Sequence, residues 1–224
     1  MNGVKWGTVT EQHDNIVIVC SGGSLRNFNM GLLTNIGHII CVNNSYSGVP
    51  FYDSWFTLDP WGLSGEQLPK KGKGKLYAAV PQDFGTSYAK ATQHRIKAPD
   101  NITYLNRLMS HNNPAVSSET AYRLGLSEDN GCINTGNSGF GALNLAYHMR
   151  PKKILILGMD GDIGYYYTQT QKNRALKFLP LMMESAVKQL NQRSIKVING
   201  SKNSSITCFD RYTPDEAVLE FRNV

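Results

Sequence analysis

Four short runs in this chain are apolar at nearly every position and lack polar alternation. They are residues 15–20 (NIVIVC), 37–42 (GHIICV), 153–157 (KILIL) and 194–198 (SIKVI). A strand apolar on both faces has to be covered on both, which is the condition of a parallel sheet sandwiched by helices. Residues 52–58 around Trp55 and Phe56, 75–80 (KLYAAV) and 102–105 supply further strand signals. Between them lie helical patterns at 24–33 with Ser24 as a cap, at 138–149 ending before Pro151, and at 214–221. A long pattern at 170–193 contains Pro180, which predicts a kink or two helices there. Strand–helix alternation predicts an α/β fold. The expected architecture is Rossmann-like and doubly wound, a mainly parallel sheet with helices on both faces. We expect a single domain over residues 1–224, with a lid within the irregular stretch 106–120.

Composition narrows the class without naming a partner. Of 224 residues, 41% are hydrophobic and 18% charged, enough for a full core and too apolar for disorder. The net charge of +6 favours anionic partners such as nucleotides, nucleic acid or acidic glycans. No apolar run is long enough for a membrane span, and the start, Met1 to Trp6, lacks the apolar stretch of a signal peptide. Cys20, Cys41, Cys132 and Cys208 follow no disulfide or metal-ligand spacing. These features predict a cytoplasmic protein with reduced thiols, and they leave its oligomeric state open.

In open parallel sheets, ligands bind beyond the carboxyl ends of the strands, so the residues just after each strand carry the functional signal. After the first strand come Ser21, Gly22, Gly23 and Ser24. The two glycines let backbone N–H groups approach a phosphate, although a plain strand–helix turn has the same sequence. After the second come Asn43 and Asn44, whose amides can read a base edge or a sugar hydroxyl or simply make a turn. Asp59 follows the third strand, where it can accept from hydroxyls or start an Asp-Pro turn. Asn137, Ser138 and Gly139 open a helix as a second small-residue loop. After residues 153–157, Asp160 and Asp162 form a DxD pattern before three tyrosines centred on Tyr166. Such a pair either holds Mg²⁺ on a diphosphate or accepts a proton from an attacking hydroxyl. The five histidines show no metal spacing. His38 and His148 read as structural, and His111 is kept as a candidate base. Lysines at 70, 71, 73 and 75 form a basic loop able to touch a nucleic-acid backbone.

Taken together these motifs resemble a family. The order of residues 20–25 (CSGGSL), Asn43-Asn44, 57–60 (TLDP), Asn137-Ser138-Gly139, Gly158-Met159-Asp160 and Asn199-Gly200-Ser201 is similar to the bacterial sialyltransferases of glycosyltransferase family 42. It is also similar to their MptE-like and Maf-type relatives. The resemblance implies that Gly22, Gly23 and Ser24 lie near phosphate and Asn44 near sugar or base. It places Ser138 and Gly139 on the ribose–phosphate and Asp160 on the ribose or cytosine side. Tyr166 and its neighbours would hold the leaving phosphate, with Asn203 and Ser204 at the same nucleotide-sugar edge. The family's helix-start threonine is Asn137 here, and no histidine occurs in 178–190, where the family keeps its base.

The resemblance implies an inverting glycosyltransferase with a nucleotide-sugar donor and an acceptor hydroxyl. Asp162, Asp160 or His111 would take the proton. The acceptor is a hydroxylated base in DNA, as for phage-type enzymes, or a glycan. No cofactor is obligatory under this reading, and Mg²⁺ at Asp160 and Asp162 is its optional metal. An MptE-like, ATP-dependent diphosphokinase acting on a pterin alcohol and a non-catalytic nucleotide- or DNA-binding module are the alternatives.

Overall fold

The computed structural model describes residues 5–60, 69, 74–81, 101–108, 123–161, 176 and 178–223. Nine parallel strands form one sheet: β1 Asn15–Val19, β2 His38–Val42, β3 Ser54–Thr57, β4 Lys75–Val80, β5 Ile102–Leu108, β6 Cys132–Asn134, β7 Lys153–Leu157, β8 Lys196–Asn199 and β9 Asp210–Arg211. Their order across the sheet is β6-β5-β4-β3-β2-β1-β7-β8-β9. The chain therefore winds outward from β1 to β6, then returns to the other side of β1 to lay down β7, β8 and β9. That reversal puts the topological switch point between β1 and β7, whose carboxyl ends face connections running in opposite directions.

Pleating divides the strand residues between two cores, as continuous apolar runs require. Ile16 and Ile18 of β1, Ile40 and Val42 of β2, Phe56 of β3 and Ile154 and Ile156 of β7 face one side. There they meet Phe140, Leu143, Met182, Met183, Ala186 and Leu190 from helices α1 (Ser138–His148) and α2 (Leu179–Gln192). Val17, Val19, Ile39, Cys41, Trp55, Leu155 and Leu157 face the other side. These pack on Leu25, Phe28 and Leu33 and on Ala217, Val218 and Phe221 of α3 (Pro214–Asn223). Each such aliphatic or aromatic side chain, fully buried, contributes about 1.5–3 kcal/mol.

The doubly wound α/β architecture is as the sequence predicts, and the described strands are all parallel. Several local expectations change. Residues 24–33 form no α-helix but two short 3₁₀ turns, Gly23–Leu25 and Met30–Leu33. Ser24 is pinned elsewhere through its backbone and hydroxyl, and the Asn29 side chain caps the Gly31 amide at 3.0 Å. Short polar side chains that bond locally compete with helix propagation. Pro180 makes no kink in α2, while the alternative of a separate preceding helix falls largely outside the described residues. The proline sits in the first turn of α2, where its missing N–H costs nothing; residues 170–175 lie outside the described part. Strand β5 is longer than expected and takes residues 106–108 of the proposed lid segment, the rest of which is not described. Strands β6 and β9, of three and two residues, carry too little pattern to be read in advance.

Helix α1 is buried along its whole length except at Ser138. Such a helix presents no polar face and packs on all sides. Of its two buried polar residues, Asn144 and His148, Asn144 is fully buried and works as a clamp. Its Oδ1 accepts from the amides of Ser127 and Asn134, each at 2.9 Å, and its Nδ2 donates to the Ser127 carbonyl at 3.3 Å. Leucine at this position fills a similar volume but strands two buried backbone donors. Asn144→Leu should lower the unfolding free energy by about 2–4 kcal/mol, read by urea denaturation. A loss under half a kilocalorie would show that water takes over both amides.

Candidate active site at the switch point

The carboxyl ends of β1 and β7 do not splay apart. They are stitched together beyond the last strand residue. The Cys20 amide donates to the Leu157 carbonyl at 2.8 Å, and the Gly22 amide donates to the Gly158 carbonyl at 2.8 Å. Asp160 closes the knot. Its Oδ2 accepts from the Ser24 amide at 2.8 Å, and its Oδ1 accepts from the hydroxyls of Ser24 at 2.6 Å and Ser201 at 2.5 Å. The Asp160 carbonyl also accepts from the Ser205 amide at 3.2 Å. The carboxylate is only 2% exposed, so one side chain fastens the loops after β1, β7 and β8. Charge-assisted bonds of this kind are the strong ones.

The glycines make the approach possible. A Cβ on Gly22 would stand 2.4 Å from the Gly158 carbonyl oxygen and 2.6 Å from Asp160 Oδ2. Gly22 itself has an ordinary extended backbone, so closeness and not dihedral freedom selects glycine there. Gly158 differs, since its φ of +67° lies in the left-handed region.

Neighbouring loops gather around this knot. Gly139, in the first turn of α1, lies against Met159, whose Cε would be 2.9 Å from a Cβ there. Asn137 caps α1, its Oδ1 accepting from the amides of Gly139 at 2.7 Å and Phe140 at 3.4 Å. Ser138 follows, half-buried, at the helix N-terminus. Ser204 is buried; its hydroxyl donates to the Met159 carbonyl at 3.0 Å and accepts from the Ile206 amide at 3.1 Å. Beside it, Asn203 is exposed. On the other side of β1, Ser45 Oγ donates to the Val19 carbonyl at 2.7 Å and accepts from the Val42 amide at 2.9 Å, tying the turn after β2 to the end of β1. Within that turn Asn43 adopts a left-handed φ of +54°. Its carbonyl accepts from the Trp55 indole at 2.7 Å, and its side-chain Oδ1 is buried without a hydrogen-bond partner among the described residues. A residue that holds a strained backbone and an unmatched acceptor is suited to receive a ligand donor. Asn44 follows in the same turn, and Asp59 is buried after β3, its amide bonded to Thr57 Oγ1 at 3.0 Å.

Of the candidates named from sequence, Ser21 to Ser24, Gly139, Asp160 and Ser204 converge on the switch point. Asn43 and Asn44 flank it, and Asp59 lies one strand further out. Asn137 is occupied as a helix cap, the plainer of its two readings. Asp162, Tyr166 and His111 lie outside the described residues, as do Lys70, Lys71 and Lys73. Lys75 starts β4 at the opposite, amino edge, where it pairs with Glu11 at 3.2 Å. Lys152 is at that edge too, paired with Asp14 at 2.8 Å. Ser201 and Ser45 join the site only in the structure. Ser201 had a signal in the Asn199-Gly200-Ser201 turn, whereas Ser45 had none beyond its place after a strand.

Cys20, Cys41 and Cys208 are held as protonated thiols by their surroundings. Burial, helped by the nearby Asp160 charge, pushes the Cys20 thiol far above its usual range. Burial likewise raises Cys41 to about 12 and Cys208 to about 11. Thiols so placed stay protonated and pack as small hydrophobes.

No family model matches the chain, and no curated protein matches it. Among solved structures it is similar to the sialyltransferase CstII from Campylobacter jejuni, in complex with the substrate analogue cytidine-5'-monophosphate. The TM-score is 0.51 at 12% identity, over 92% of this chain and 87% of that one. A structure of the sialyltransferase CST-II with trisaccharide acceptor and CMP aligns at 14% identity and a TM-score of 0.49, over 89% and 86%. At such identity the likeness speaks for architecture: this chain has a Rossmann-like α/β fold of the kind seen in the sialyltransferase CstII.

Proposed function

We propose that this protein is a glycosyltransferase that binds a nucleotide sugar across the carboxyl edge of the sheet and transfers the sugar, with inversion, to an acceptor hydroxyl. The observation that carries this reading is the knot at the β1/β7 switch point, where the Gly22 amide is bonded to the Gly158 carbonyl and Asp160 fastens Ser24 and Ser201 into one surface. Its fold likeness to an enzyme solved with CMP supports a cytidine nucleotide as the first donor to try. Asp160, buried and bonded through both oxygens, acts as a positioning residue that shapes the nucleotide surface. The proton of the acceptor hydroxyl then goes to Asp162, or to His111, as general base. Tyr166 donates to the departing phosphate. The Asp160 oxygens already accept three bonds, which leaves about one lone-pair position, so Asp162 would be the main ligand of any Mg²⁺.

Incubating the protein with CMP-, UDP- and GDP-sugars and following donor hydrolysis tests this directly. We expect one nucleotide series to be hydrolysed and the matching free nucleotide to stabilise the fold. At a hundred times its dissociation constant, stabilisation should reach about 2.7 kcal/mol. If no nucleotide sugar is cleaved and no nucleotide raises Tm, the reading is wrong. Acceptor assays then take two arms, glycans and duplex DNA carrying a hydroxylated base. The DNA arm requires binding that weakens steeply as salt rises.

A further inference from the structure

At the amino edge of the sheet, opposite the switch point, three potential metal ligands converge from separate parts of the chain. Glu11 and His13 lie in the segment leading into β1, and His38 is the first residue of β2. One carboxylate oxygen of Glu11 and one ring nitrogen from each histidine all lie within 4.8 Å of one another. The two imidazoles are stacked, with ring centroids 3.8 Å apart and planes 21° from parallel.

The surroundings treat these residues as a site. His38 Nε2 is 2.9 Å from Ser54 Oγ, a contact that orients the ring from outside. Histidine ligands commonly have their other nitrogen fixed in this way. Glu11 is held from behind, accepting from the Tyr77 hydroxyl at 2.7 Å and from Lys75 Nζ at 3.2 Å. A carboxylate has about four lone-pair positions, so it keeps acceptor capacity after both bonds. His13 is the telling member. Its amide is tied to the Met149 carbonyl at 3.0 Å, yet its Nε2 is buried with no hydrogen-bond partner among the described residues. A buried ring nitrogen without a partner costs roughly 1–3 kcal/mol, and proteins seldom leave one so without a use.

We propose that Glu11, His13 and His38 form a binding site for a divalent transition cation of the zinc type. Two imidazoles and one carboxylate are a ligand set suited to such an ion, with water completing a tetrahedron. Bonds of about 2.0–2.2 Å bring tetrahedral ligand atoms to roughly 3.3–3.6 Å from each other. The stacked rings must therefore tilt toward one another on binding, and Lys75, about half exposed, swings from Glu11 into solvent. Strand β1 of five residues spans roughly 16 Å, so this cation is remote from the nucleotide edge. Its role is to staple the leading segment to β2 and, through Glu11 and Tyr77, to β4. The site is independent of the proposed glycosyl transfer.

Zn²⁺ and Co²⁺ titrations of the full, metal-stripped chain test this, with His13→Asn and Glu11→Gln variants alongside. We expect one ion per chain, a rise in Tm with Zn²⁺, and a Co²⁺ visible spectrum of tetrahedral nitrogen–oxygen type without thiolate charge-transfer bands. Each variant should keep the metal-free Tm within a few degrees and bind at least about tenfold more weakly. A chain that takes up no ion at micromolar levels overturns the proposal. So does wild-type affinity in both variants, or a thiolate spectrum, which would move the ion to the cysteines. Should one variant fail to fold, the other and the wild-type spectrum decide.

Discussion

Replacing Asp160 by alanine should produce the largest loss of any single substitution in the described structure. Three donors from two other loops end on this carboxylate: the Ser24 amide, the Ser24 hydroxyl and the Ser201 hydroxyl. Bonds to a buried charge contribute more than neutral ones, and truncation leaves their donors facing a cavity. We expect Asp160→Ala to cost about 3–5 kcal/mol of folding stability. Nucleotide affinity should fall by about 100-fold or more, roughly 2.7 kcal/mol, because the loops after β1 and β8 lose their common anchor. Asp160→Asn is the informative companion. Its amide can keep an acceptor toward the Ser24 N–H and turn its NH₂ toward the two hydroxyls, so stability should fall by only about 1–2 kcal/mol. If Asp160→Asn retains CMP binding while Asp160→Ala loses it, the residue positions the site. If Asp160→Asn folds and binds CMP normally but is catalytically dead, the carboxylate reacts directly and the positioning role is mistaken. Equilibrium denaturation and calorimetric titration with CMP supply both readings.

Gly22→Ala tests the same knot by crowding. The new methyl would lie 2.4 Å from a backbone carbonyl and 2.6 Å from the Asp160 carboxylate, neither of which is the free end of a flexible side chain. Either the Gly22–Gly158 bond or the Ser24–Asp160 pair has to break. Overpacking of this sort costs about 1–3 kcal/mol in ordinary cores, and here a backbone bond is lost as well. The Tm should fall by several degrees, and CMP binding should disappear with it. Gly131→Ala serves as the control, since a Cβ there meets its neighbours at an ordinary 3.4–3.6 Å. Equal effects in the two variants would mean that the knot has no special rigidity.

The strands show how much was legible in the chain. The apolar runs that predict β1, β2, β7 and β8 carry both faces of the sheet in their own sequence, because both faces are covered. The 24–33 segment departs from its pattern for a physical reason. Its apolar spacing suits a helix, but Ser24 and Asn29 have partners that propensity cannot see, one of them 136 residues away. Asp160 was legible as a carboxylate placed just after a strand end. Its partner Ser201, 41 residues further on, became visible as such only once β7 and β8 were adjacent.

The Glu11, His13 and His38 cluster marks the boundary between the two kinds of information. Sequence alone gives three polar residues with no ligand spacing, the histidines 25 positions apart by their numbering. Pairing of β1 with β2 sets Ile16 opposite His38, which draws His38 to the segment just before β1. By itself, then, the chain determined its class, its parallel sheet and the polar loops that follow the strands, since local patterns and strand ends encode these. Which loops close on one another, which carboxylate is buried and which histidines meet were decided by strand order. Strand order depends on long-range packing, and no local pattern records it.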